Sequence, residues 1–136
     1  MTTRRLQRLG REDGQAAAEM ALVLPIMLMV ILGIVQFGIA FNNYITLTDA
    51  TRAGARKASV SRFSGDFGAA ARALVRSDAS SLDQSRLGVT VGITSGNWST
   101  PGSTVSVTAT YPYSIDILGM TVKAGTLSST ENERLE

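Results

Sequence analysis

From Met20 to Phe41 the chain carries about 22 residues without a single charge, almost all of them Leu, Ile, Val, Met, Ala, Gly or Phe. At 1.5 Å per helical residue such a run spans about 33 Å, enough to cross a bilayer core of about 30 Å. In lipid only a helix satisfies the backbone of a single span, so the run is read as one transmembrane helix. Pro25 lies within it, removes one backbone hydrogen bond and is expected to bend the first turns. Gly33 and Gly38 thin the later half and allow close approach by neighbouring helices, although their spacing is not that of GxxxG.

The ends of this run are unequal. Before it come Glu19, then Gly14-Gln15, then a polar leader with Arg4, Arg5, Arg8 and Arg11 against Glu12 and Asp13. Those six residues account for the whole formal charge of +2, so the pI near 9.4 reflects the leader and not a basic surface. Short flanks rich in Arg stay cytoplasmic, which orients the N-terminus inward and the remainder outward. No basic patch is left for nucleic acid.

The organisation expected is a cytoplasmic leader over 1–14, a transmembrane helix over 15–41 and an extracytoplasmic head over 42–136. The head's roughly 95 residues suffice for one small domain. Without cysteine it has no disulfide framework and no thiolate metal site.

Past Phe41 the periodicity stays helical. Tyr44, Leu47, Thr51, Gly54, Ala55 and Ala58 recur at spacings of three and four, opposite Asp49, Arg52, Arg56 and Lys57, so the membrane helix is expected to continue into the head. Ser64-Gly65 is the expected break. A second helix is predicted from Asp66 to about Asp78, with Phe67, Ala70, Ala71, Leu74 and Val75 on one side. After Leu87 the period becomes two. Val89, Val91 and Ile93 form one strand; Val105, Val107, Ala109 and Tyr111 form another, which Pro112 is expected to end. A third strand is predicted over Thr121–Ser129, and the charged tail Glu131–Glu136 is expected to fray. The fold class is therefore α+β, with helices packed on an antiparallel sheet of about three strands.

Histidine is absent as well as cysteine, which removes the commonest general base and nucleophile together. The acids of the head, Asp49, Asp66, Asp78, Asp83 and Asp116, are scattered singly, and capping explains several of them. No catalytic residue, metal ligand, cofactor or small-molecule substrate is assigned. Asn97-Trp98-Ser99 fits a glycosylation acceptor, but it lies among turn residues and is read as a loop, with Trp98 packing on the core.

Glu19 admits two readings. It can sit at the headgroups, favoured by the positive end of the helix, or it can enter the membrane opposite a cation. Cleavage after Gly14 would create that cation, an ammonium on Gln15, four residues before Glu19 on the same helix or on a neighbour.

The string Gly14-Gln15-Ala16-Ala17-Ala18-Glu19, followed by Met20-Ala21-Leu22-Val23-Leu24-Pro25 and an apolar run to Gly33-Ile34-Val35-Gln36-Phe37-Gly38, resembles a class III signal sequence of type IV pilin-like proteins. With Asp49-Ala50-Thr51-Arg52-Ala53-Gly54-Ala55-Arg56-Lys57-Ala58 it is similar, over roughly residues 14–60, to the TadE-like family, minor pilins or pseudopilins of the Tad (tight adherence) pilus. Met20 stands where that family often has Phe or another large residue.

The resemblance implies a structural, non-enzymatic protein, cut by a prepilin peptidase between Gly14 and Gln15, with Glu19 as the fifth mature residue pairing with a neighbour's N-terminal amine. Its partners would be the lipid bilayer, the peptidase, other Tad pilins and assembly-platform proteins. The competing expectations are an uncleaved single-pass protein whose head binds a ligand or an envelope partner, and a head released by cleavage after Ala40. The long apolar run disfavours the latter.

Overall fold

The computed structural model describes residues 3–61 and 66–136, with backbone alone over 3–13 and at Phe67. Its first element is one continuous helix, α1, Thr3–Val60, of 58 residues and roughly 87 Å. The leader is therefore helical from Thr3. It joins a helix already nucleated and consists mainly of helix-forming Arg, Leu, Gln and Glu, so each added turn escapes the nucleation cost. Pro25 lies inside α1 without ending it.

The C-terminal part of α1 packs into the head through Leu47, Ala50, Thr51, Gly54, Ala55 and Ala58, all buried. Tyr44, expected on that face, is 43% exposed, because the core begins one turn later at Leu47. The predicted break at Ser64-Gly65 lies outside the described residues. Asp66 caps the second helix, α2, Phe67–Asp78, by accepting from the Ala69 N–H at 2.8 Å, a contribution of about 1 kcal/mol to such a helix. Ala71 and Val75 turn inward from α2 and meet α1 where Gly54 leaves room.

Three antiparallel strands follow in the order β1-β2-β3: β1, Gly88–Ser95; β2, Thr104–Ile117; β3, Met120–Arg134. Val105, Val107, Ala109 and Tyr111 alternate inward from the central strand and close the core against both helices, as the period of two requires. Val89, Val91 and Ile93 of β1, with Trp98 and Leu127, pack half-buried around it.

Two expectations about the sheet fail. Pro112 does not end β2; it pairs opposite Thr126 and the strand continues to Ile117. Arg86 donates to the Pro112 carbonyl at 3.5 Å from the β1 side, just before β1 begins at Gly88. In an antiparallel strand N and O of one residue face the same way, so the missing N–H faces an edge where no ladder bond is due.

The tail does not fray either. β3 runs to Arg134, and Leu135 is 2% exposed in the core. Leu135 N–H donates to the Ser103 carbonyl at 2.8 Å, and its own carbonyl accepts from Gly102 N–H at 2.9 Å. One apolar residue among charged neighbours anchors the chain end.

Candidate assembly and processing segment

The residues singled out by sequence, Gly14, Gln15, Glu19 and Pro25, all lie on α1, where helical spacing fixes their relations. A helical Cα–Cβ bond leans toward the N-terminus, so Glu19 reaches back over the turn that carries Gln15. The Gln15 side-chain amide donates to Glu19 Oε1 at 3.0 Å, and both residues are exposed. Gly14 is also exposed and helical, with open space where a side chain would be. The segment thus presents a carboxylate with one neutral donor, beside the residue with the highest conformational freedom.

Beyond Glu19 the helix surface is apolar and uncovered over most of its circumference. Met20, Leu22, Ile26, Ile34 and Phe37 are each more than 60% exposed, and Phe37 and Phe41 stack with ring centroids 6.4 Å apart. A run of this length and hydropathy is sufficient to cross a membrane. Left in water, it would be an apolar patch far beyond what a soluble monomer exposes.

Between Leu32 and Asn43 one stripe of α1 is covered. Leu32, Gly33, Gln36, Ala40 and Asn43 are half-buried, at spacings that line one face. The cover is the distal end of the β2–β3 hairpin: Ile117 Cδ1 lies 3.9 Å from where a Cβ on Gly33 would stand. Sequence reasoning missed this contact because it ended β2 at Pro112. The signal was present in Ile115, Ile117 and Val122, apolar residues continuing past the proline.

Asp83, Asp116, Asp66 and Asp49 of the head are occupied locally. Asp83 accepts from the hydroxyl of Ser85 at 2.6 Å and from its N–H at 2.9 Å; these bonds, with Arg86 nearby, hold its carboxyl below the usual range. The hydroxyls of Thr121 and Ser114 do the same for Asp116. Asp66 caps α2, and Asp49 faces Arg52 at 3.9 Å. Among the described residues no three His, Cys, Asp or Glu side chains come together to hold a metal ion.

No curated protein and no solved structure matches this chain. Residues 14–56 match the family model described as TadE-like protein, a stretch that opens on Gly14-Gln15, contains Glu19 and Pro25, and ends where α1 is packed into the head. Over this helix, from the glycine before Glu19 to the turn that meets α2, the chain is similar to TadE-like proteins.

Proposed function

We propose that the protein is a minor pilin or pseudopilin of a Tad pilus or a related secretion apparatus, with a structural rather than catalytic role. The observation that carries this reading is the alignment of three features on one helix. They are a glycine at the start of the family match, an acid five residues later, and an apolar surface that the chain leaves largely uncovered. An anchor requires only the last of them.

In this reading a prepilin peptidase cuts between Gly14 and Gln15 at the cytoplasmic face. Glycine weakens a helix by about 1 kcal/mol relative to alanine, so the Gly14 turn is the easiest place to unwind for a protease that needs extended backbone. Cleavage replaces a peptide nitrogen by an ammonium within reach of Glu19 on the same or an adjacent chain. The carboxylate, now held by the Gln15 amide, gains a charged partner, and pairing lowers the cost of taking both groups into lipid. Pro25 bends the helix between this pair and the head. Residues 15–41 span the membrane with the head, 42–136, outside; the partners are the bilayer, the peptidase, other pilins and the assembly platform.

Intact-mass measurement on protein from its own host tests the processing step. A chain beginning at Gln15 is expected. A start at Met1 supports instead an uncleaved single-pass protein whose head binds a partner, and a start at Phe41 a released head. The same spectrum reads whether Gln15 keeps its amine, because closure of that amine onto the side-chain amide releases ammonia and removes the charge that Glu19 needs.

A further inference from the structure

We propose that the tip of the β2–β3 hairpin is a second membrane-contacting element, seated in the outer-leaflet interface, and that it sets the outer boundary of the hydrocarbon near Gly33 rather than Phe41. This rests on the reading of α1 as a membrane helix.

The tip is a two-residue turn, Leu118-Gly119, between the paired Ile117 and Met120. Both turn residues have positive φ, 51° for Leu118 and 81° for Gly119, a conformation that the hairpin twist demands and that Asn, Asp or Gly normally supplies. A leucine there is strained. It is also 58% exposed, and Met120 and Val122 beside it are 67% and 64% exposed. A bulky apolar residue is thus held in an unfavourable backbone conformation and packs little within the chain, which points to a partner outside it.

The position of the tip names that partner. Ile117 touches the Gly33 position, about 12 Å along the helix below Phe41 and well inside the apolar run. Whatever surrounds α1 at Gly33 therefore surrounds Leu118 and Met120, and at that height α1 offers only an apolar surface.

Polar groups fix the boundary. Gln36, the one polar residue between Met20 and Phe41, lies on the stripe that the hairpin covers, in a crevice with Asn43, Arg86 and Ser114. A groove of about 390 Å³ between Phe37, Phe41, Tyr44, Tyr113 and Ile115 carries Lys123 on its wall. With the boundary at Phe41, Gln36, Asp116 and Lys123 would all be drawn into hydrocarbon, which is costly for the charges. With the boundary at Gly33 they lie among the headgroups, where Lys123 can extend its ammonium toward water, and only the turn end with Leu118 and Met120 enters the acyl chains.

The shift carries Glu19 with it. Glu19 and Gly33 are about 21 Å apart along the helix, less than the roughly 30 Å of the core, so a boundary at Gly33 draws the acid inside the lower leaflet. Of its two readings the desolvated one then applies.

The chain has no cysteine, so single labels are straightforward. The full chain is reconstituted at high dilution into phosphatidylethanolamine/phosphatidylglycerol vesicles, with an environment-sensitive fluorophore on Leu118→Cys, Met120→Cys, Ile31→Cys or Thr100→Cys. Leu118 and Met120 are exposed in the head, so neither change disturbs its core. Labels at 118 and 120 are expected to be quenched by acyl-chain nitroxide at least about twofold more than at 100, and correspondingly less by aqueous iodide, as for a group in the interface. Quenching at 118 and 120 equal to that at 100, with 31 lipid-quenched, overturns the inference and leaves the span standing. Protection from iodide without lipid quenching assigns the tip to a second protein copy and overturns it too. Absence of lipid quenching at 31 removes the span reading and this inference together.

Discussion

Gly54 shows how much one hydrogen atom can matter at a helix crossing. A Cβ there would overlap Val75 Cγ2 and stand 3.4 Å from the Ala71 carbonyl, so the crossing of α1 and α2 leaves no room for a side chain at this position. Gly54→Ala is expected to destabilise the head by about 1–3 kcal/mol, the range for overpacking a close-packed interior, as read by urea unfolding of the full chain in detergent. Asp83 works on a smaller scale. Its carboxyl is held low chiefly by the Ser85 hydroxyl, then by the Ser85 N–H. Because the folded value is depressed, whatever stability it adds is present above the value of an unfolded aspartate and is lost as pH falls through the folded one. A carboxyl-carbon NMR titration should place the Asp83 midpoint below that of an unperturbed aspartate, and Ser85→Ala should move it upward.

At the scale of elements, the C-terminal strand is the one whose role is least apparent from its composition. β3 is rich in Ser, Thr and charge, yet it supplies the far edge of the sheet, holds Arg52 of α1 through Glu131 at 3.0 Å, and is followed directly by the buried Leu135. The ion pair is exposed and contributes at most about 1 kcal/mol. The leucine is the stronger tie. Leu135→Ala should cost about 2–5 kcal/mol, as other leucine truncations in cores do, whereas Glu136→Ala, at an exposed position, should be near neutral. Thermal unfolding of the two variants side by side separates anchoring from a general effect of altering the terminus. The hairpin that joins β2 to β3 departs from the core altogether and runs along α1 toward Gly33.

For the whole molecule, a head is built around one end of a helix whose other end presents an uncovered apolar surface long enough to cross a membrane. Glu19 belongs to this scale, since its proposed partner is created by processing and supplied on assembly. Glu19→Ala is expected to leave membrane insertion intact or improved, removing a charge that costs about 2.5–3.5 kcal/mol at the bilayer centre and less toward the headgroups. It should abolish incorporation into the assembled structure, measured by fractionating membrane and filament pools. Unchanged incorporation would leave Glu19 as an interfacial residue only.

The long helix, the second helix and the three strands were legible in the chain because each rests on a local period: an uncharged run, a spacing of three and four, an alternation of two. That Gly14, Gln15, Glu19 and Pro25 share one helix was legible because their spacing is that of neighbours within one apolar-flanked run. The pairing of Pro112 with Thr126, the burial of Leu135 and the contact of Ile117 with Gly33 were not. Each depends on which surface another element presents across tens of residues of sequence. Proline stays in a strand when its missing donor faces an unpaired edge, and a lone leucine is core when the sheet ends over an apolar gap. Local periodicity decided what each segment is. Only tertiary packing decided how far the hairpin extends along α1, and so how much of the apolar run remains free to meet lipid.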